Sequence, residues 1–281
     1  GEVARARAVC FYDVQNKLII KSKIERVDVS ERKIAKHLIS QLINEGTQKD
    51  LILFDRGYPS AELISLLSDN NLSYLMRCQK NFCKEIKNAK KADQIVQIKY
   101  DHKSYDVRVL RFTLESGEEE ILITNLLDKK LTIKYFKSLY FMRWEIEVKY
   151  NDLKNKLQIE NFTGATKISI EQDFYAIIYL SIMVELAKIQ IEETIKERTN
   201  GKGLKYEYKA NINLLIGTLK DNFIMMLLEK SSRRRNKMYT EIMDQVAKSS
   251  VPIRPNRKYP RKKFLIKYQE YTKQKKMSVN I

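Results

Sequence analysis

Between residues 8 and 76 the hydrophobic pattern switches repeatedly between a strand period and a helix period. Ala8-Val9-Cys10-Phe11-Tyr12 and Leu18-Ile19-Ile20 read as consecutive strands joined by a turn at residues 13–16. Ser30 is placed to cap a helix whose apolar positions are Ile34, Ala35, Leu38, Ile39, Leu42 and Ile43, and Gly46 is placed to end it. Leu51-Ile52-Leu53-Phe54 is a short continuous apolar run, the pattern of a strand buried on both faces in a parallel sheet, and it stops at Asp55-Arg56-Gly57. Pro59 and Ser60 open another helix carrying Leu63, Ile64, Leu66 and Leu67, and residues 72–76 read as a further strand. This order argues for an α/β fold with a partly parallel sheet.

From about Phe82 to Asn125 the alternation becomes strictly polar and apolar, as in Val96, Ile98 and Tyr100 and again in Tyr105, Val107 and Val109. A turn at residues 115–118 precedes Ile121-Leu122-Ile123, so residues 82–130 read as an antiparallel β unit inserted in the α/β core. From Thr132 onward the period is helical. One long helix is expected over residues 134–157, another from Glu171 to about Lys196, and a third from near Asn211. The expected divisions are therefore 1–81, the first part of the core; 82–130, the insertion; 131–230, its helical second part; and 231–281, an extended or partly disordered basic tail holding Arg233-Arg234-Arg235, Pro252, Pro255 and Pro260.

Charge narrows the partners. The net value is +18, and residues 231–281 hold 15 Lys and Arg against 3 Asp and Glu. Such a surface favours a polyanion, because each cation placed on a phosphate releases a condensed counterion; basic residues that only keep the protein soluble are the plainer reading. Cys10, Cys78 and Cys83 are too few and too irregular for a disulfide framework, and with only His37 and His102 no zinc site can be assembled. Reduced thiols and a cytoplasmic location follow. The apolar stretch at residues 176–184 reads as too short to span a membrane. The chain opens on Gly1 and enters a strand pattern almost at once, which reads as a fragment beginning upstream.

The chemistry lies on the helix expected over residues 134–157. At about 100° per residue, Leu139, Met142, Ile146, Tyr150, Leu153 and Leu157 form a core stripe, while Lys134, Lys137, Glu145, Lys149, Asp152 and Lys156 face water. Between them runs a third stripe of Tyr140, Arg143, Glu147 and Lys154: a phenol, two cations and a carboxylate. An ordinary i,i+4 ion pair between Arg143 and Glu147 accounts for part of it at a few tenths of a kcal/mol. Asp55, at the carboxyl end of a buried strand, sits where α/β sheets place ligand groups, although an Asp before Gly57 also suits a plain turn. Together the two acids and their basic neighbours make a plausible Mg²⁺ site for phosphodiester chemistry.

Tyr140, Arg143, Glu147 and Lys154, spaced by two, three and six residues, match the signature of DDE transposases of the insertion-sequence-4 group. Asp55-Arg56-Gly57-Tyr58 resembles the family's second-acid motif, and Thr124-Asn125-Leu126 resembles the strand leaving its β insertion. Asn161-Phe162-Thr163-Gly164 and the basic ending through Arg254, Arg257 and Arg261 are similar too. The resemblance implies a ribonuclease-H-like fold. It makes Asp55 and Glu147 the second and third metal-binding acids and gives Tyr140, Arg143, Lys154, Arg254, Arg257 and Arg261 to DNA. Two Mg²⁺ or Mn²⁺ ions, double-stranded DNA at transposon ends and target, and a dimer on that DNA are the implied cofactor and partners.

One departure stands out. The family's first acid lies within Asp-Gly-Ser or Asp-Gly-Thr on the first strand, and no Asp-Gly pair occurs here. Asp13 lies in a turn and Asp28 before a helix, so neither replaces it. The expectation is that this chain alone cleaves DNA weakly or not at all. Two rivals remain. Glu147-Val148-Lys149 spells the end of a restriction-type nuclease motif, but that motif belongs on a strand, and on a helix its two charges diverge by about 200°. A non-catalytic DNA-binding remnant or regulator is the other.

Overall fold

The computed structural model describes residues 6–46, 50–255 and 279–280. They fall into two compact units, one built mainly of residues 20–149 with 7–15, the other mainly of residues 150–280.

The first unit opens with the hairpin β1 (Ala6–Asp13) and β2 (Leu18–Arg26), turned where the Asp13 carboxylate accepts the Gln15 N–H at 2.9 Å. Helix α1 (Glu31–Asn44) follows. The Ser30 hydroxyl caps it, its apolar face is buried at Ile34, Ala35, Leu38, Ile39 and Leu42, and Gly46 takes the left-handed conformation just past its end. Then come β3 (Leu51–Phe54), α2 (Ala61–Asp69, capped by Ser60) and β4 (Ser73–Arg77). β3 and β4 pair in parallel. After the short α3 (Lys84–Asn88) the chain lays down β5 (Asp93–Tyr100), β6 (Lys103–Thr113) and β7 (Glu119–Thr124), all antiparallel.

The antiparallel strands of residues 82–130 join the sheet of the core: β7 pairs antiparallel with β4, giving one five-stranded sheet in the order β3-β4-β7-β6-β5. β3 is parallel as read, but it lies at the edge of that sheet and only Phe54 is fully buried. A continuous apolar run marks two covered faces, and it does not report whether both edges are paired. The covering is clear from side-chain parity. Phe54, Tyr74, Met76, Val107, Val109, Ile121 and Ile123 point to the layer of α2, while Leu75, Leu110 and Leu122 point to the opposite layer. There they meet Phe136 and Tyr140 of α4 (Ile133–Phe141).

The helix expected over residues 134–157 is two helices, α4 and α5 (Trp144–Asn155). At the join the backbone tightens to i→i+3 bonds: Met142 N–H to Leu139 O, Arg143 N–H to Tyr140 O, Glu145 N–H to Met142 O and Ile146 N–H to Arg143 O, all at 3.0 to 3.2 Å. The tighter turn shifts the phase of the stripe that follows it, and Lys149, expected in water, is 5% exposed. Tyr140, expected at the edge of the buried face, is only 6% exposed because α4 packs it under the sheet.

In the second unit, α6 (Lys167–Thr199) begins at a Thr166–Ser169 capping box, α7 (Ile212–Leu228) is capped by Asn211, and α8 (Ser232–Lys248) is capped by Ser231. Residues 232–248 are thus a packed helix rather than an extended tail. Ile242, Val246 and Ala247 are buried, Tyr239 donates to Gln190 at 2.7 Å, and Arg198 pairs with Asp244. A count of basic residues hid this amphipathic spacing. By length and composition α6 could cross a membrane, against the reading of a short apolar stretch, but its Phe174, Val184, Ala187, Ile191 and Ile195 are buried, and α7 and α8 pack against the helix. β8 (Tyr208–Lys209) and β9 (Val251–Pro252) form a small antiparallel pair. Pro260, Arg257 and Arg261 lie outside the described residues.

Candidate active site

Parity along β3 places the next side chain, Asp55, on the same side of the sheet as Leu51 and Leu53, the side that α4 covers. The turn after it is held by Asp55 itself: its carboxylate accepts the Arg56 N–H at 2.7 Å, and its carbonyl accepts the Tyr58 N–H at 3.1 Å. The Arg32 Nε–H donates to Gly57 O at 2.7 Å and fixes the loop to α1. Asp55 therefore serves the turn and also presents a free edge, with its side chain 51% exposed.

Arg143 is the centre of the cluster. Its Nη1 lies 3.0 Å from a Glu147 oxygen and 3.9 Å from an Asp55 oxygen. Those two oxygens are accordingly no further apart than the two distances laid end to end. The guanidinium is largely buried, 11% exposed, with its carbon 5.6 Å from the Tyr140 ring centre and 5.2 Å from that of Trp144. Its Nε is buried and makes no hydrogen bond. Burial works against the cation, but Tyr140, Asp55 and Glu147 outweigh it and hold the Arg143 pKa above its ordinary value. With both acids more than a third exposed, each ion pair contributes less than about 1 kcal/mol to the fold. Stability does not explain why two carboxylates from distant segments share one cation.

The Tyr140 phenol reaches Phe54 O at 3.4 Å and Asp55 Oδ1 at 3.5 Å. Burial pushes its pKa up; Arg143 pulls the other way and Asp55 adds to the rise. Two further expected site residues lie in the second unit. There Lys154 pairs with Glu160 at 3.1 Å, and Arg254 is exposed. Glu147 is exposed and Lys149 buried, so the pair expected of a restriction-type motif diverges, as a helix requires.

Sequence reading missed Arg108. It is a buried cation, 2% exposed, bonded twice to Asp93, at 2.9 and 2.6 Å, and to the carbonyls of Asp128 and Leu131 at 2.7 and 2.8 Å. It also stacks 5.2 Å from the Phe136 ring. The signal was there: Arg108 shares the parity of Leu110 on β6, and a charge at a core position implies a buried partner. It anchors the loop that delivers α4 and, with it, Tyr140.

Among the described residues no group of three or more His, Cys, Asp and Glu is placed to hold a metal ion. Asp55 and Glu147 are hard oxygen donors, and one or two carboxylates, completed by water and phosphate, are what Mg²⁺ takes from proteins. The donor set present fits one such ion.

A protein-family model described as Transposase DDE domain matches residues 4–183, well over half of the chain, and the chain belongs to that family. The transposase InsG for insertion sequence element IS4 of Escherichia coli (strain K12) is 24% identical over 208 residues, which cover 68% of this chain and 46% of that protein. The chain thus spans about half the length of this relative. Among solved structures it is similar to the piggyBac transposase synaptic complex with hairpin DNA, with a TM-score of 0.42 and 11% identity, over 86% of this chain and 47% of that one. The family is one of polynucleotidyl-transferase enzymes that generally use divalent metal ions.

Proposed function

We propose that this chain carries two of the metal-binding acids of a DNA transposase that cuts and joins phosphodiester bonds at insertion-sequence ends, on a ribonuclease-H-like core. The observation behind the proposal is the convergence of Asp55 and Glu147 on the single guanidinium of Arg143. A bound Mg²⁺ or Mn²⁺ would lower the pKa of water and stabilise the leaving oxygen at phosphorus. Two such ions in the intact enzyme would require more donors than Asp55 and Glu147 supply. The chain's own part is positional. β3 fixes Asp55, α5 carries Glu147, and Arg143, screened from water by Tyr140 and Trp144, offers a cation to a phosphate entering between them. Lys154, Arg254, Arg257 and Arg261 would add contacts to the DNA backbone, and pairing of two ends would make the working form a dimer on DNA in the cytoplasm.

A second reading, a non-catalytic DNA-binding regulator, is supported by the lack of any Asp-Gly pair in the sequence. The regulator reading has a direct test, a labelled insertion-sequence end incubated with the 281-residue chain and Mn²⁺. We expect retention of the duplex with little or no nicking; robust nicking would show that two acids suffice and would end the regulator reading.

The DNA contact itself has a separate test. Arg233, Arg234 and Arg235 stand exposed in the first turn of α8. If all three meet phosphates, replacing them by Ala should flatten the plot of log affinity against log salt by about 2.7, at about 0.9 per contact. An unchanged slope would remove α8 from the DNA-binding surface.

A further inference from the structure

β3 and β4 run in parallel with Phe54 opposite Met76, so the next residues, Asp55 and Arg77, end their strands side by side, about 4.8 Å apart in the pairing direction. Arg77 shares the parity of Leu75, and Glu120 on β7 shares that of Leu122, so both project from the face that α4 covers, as Asp55 does. There the Arg77 Nε lies 3.3 Å from a Glu120 oxygen, with the Glu120 side chain 10% exposed and that of Arg77 28% exposed. Among the described residues neither side chain has another ion pair or hydrogen bond, which leaves both Nη groups of Arg77 without an acceptor. Beyond burial, the charges that bear on the Tyr140 phenol are Arg143, Asp55, Glu120 and Arg77, so the pair belongs to the same cluster.

Packing does not call for this pair. An ion pair taken out of water stabilises a fold little, and hydrophobic residues of similar volume often replace one without loss. Its place is that of a ligand group, at the carboxyl ends of two parallel strands. A guanidinium carries five donors in a planar fork that matches a phosphate, and here only Nε faces a carboxylate. We propose that Arg77 is a second phosphate-binding cation beside Arg143, and that the Glu120 carboxylate holds its guanidinium until the phosphate of an entering DNA strand takes it over. The proposal rests on the reading of Asp55 and Glu147 as the acids of a DNA-cutting site. To that reading it adds a cation on the neighbouring strand and an internal competitor for it. Glu120 thus weakens the hold of the site on DNA, and its charge acts through Arg77.

The experiment is a double-mutant cycle on the full 281-residue chain in EDTA, with affinity for a labelled duplex measured at several salt concentrations. Its corners are the parent, Arg77→Gln, Glu120→Gln and the double variant, with Arg143→Gln as a reference and thermal unfolding alongside. Arg77→Gln strands a buried carboxylate and can lower the melting temperature, so the double variant, which removes both charges, is the one read for the slope. We expect it to flatten the plot of log affinity against log salt by about 0.9, one phosphate contact. Glu120→Gln should bind up to about fivefold more tightly than the parent, the worth of one released ion pair, and this gain should vanish in the Arg77→Gln background. A parental slope in the double variant, alongside a flatter one in Arg143→Gln, would make Arg77 and Glu120 a structural pair and leave the site standing. An equal gain from Glu120→Gln in both backgrounds would reduce Glu120 to general charge repulsion and overturn the competition. Parental slopes in both the double variant and Arg143→Gln would take DNA away from the whole cluster, and this inference would fall with that reading.

Discussion

Glu147→Gln, introduced into an active transposase that contains this domain, is expected to abolish metal-dependent strand cleavage while leaving retention of the DNA end almost unchanged. The substitution keeps the size of the side chain and its contact with Arg143 as a neutral hydrogen bond, but it removes a negative charge from the pair that would hold the ion. Metal stabilisation of charge at a reacting phosphate amounts to several kcal/mol, so the loss should be on the order of a thousandfold or more in rate. Gel retardation of the same end should move by much less, since affinity for a duplex comes mainly from cations on phosphates. Glu147 also offsets the charge of Arg143, and its neutralisation should if anything strengthen phosphate binding. Cleavage that survives the substitution would remove Glu147 from the catalytic set, and equal losses of binding and cleavage would make it a structural residue.

Arg108→Leu is expected to produce the largest loss of stability of any single polar substitution in the first unit, about 3 kcal/mol in urea-induced unfolding. Leucine fills part of the same volume, so the cost arises from what the guanidinium leaves behind. The carbonyls of Asp128 and Leu131 lose their donors, Asp93 loses a two-pronged partner, and Phe136 loses the cation over its ring. The value falls at the lower end of the range for broken buried pairs because the Asp93 side chain is 37% exposed and can turn to water. Asp93→Asn should be much milder, as it retains a hydrogen-bond acceptor and strands no carbonyl. Unfolding midpoints of the two variants that coincide would contradict this account.

Much of the strand and helix order was legible because the chain states it locally. Ser30, Ser60, Asn211 and Ser231 cap the helices that follow them, and Gly46 closes α1 with a positive φ. The apolar run of residues 51–54 and the alternation in β5 and β6 gave the strands. The positions of Asp55, at the end of a strand, and of Glu147, on a helix, were legible as well, through the end of the apolar run at Phe54 and the helical period of residues 134–157. Less accessible was anything that depends on phase across a break. A stripe drawn at about 100° per residue from Tyr140 to Lys154 assumes one straight helix, whereas the i→i+3 bonds at residues 142–146 turn the second helix by a different angle. Lys149, which follows that break, is hidden, while Tyr140, which precedes it, is buried by its packing with Leu75, Leu110, Leu122 and Phe136.

By itself the sequence determined which segments become strands and helices, where most of them begin, and that one acid ends a strand while another rides a helix, since capping, periodicity and turn chemistry act between neighbours a few residues apart. The tertiary structure alone decided that β7 joins β4, that Asp55 and Glu147 both approach Arg143, and that the Tyr140 phenol lies 3.4 Å from Phe54 O and 3.5 Å from Asp55 Oδ1. Those choices are made by packing and charge between residues up to 85 or more positions apart, for which no short-range pattern exists.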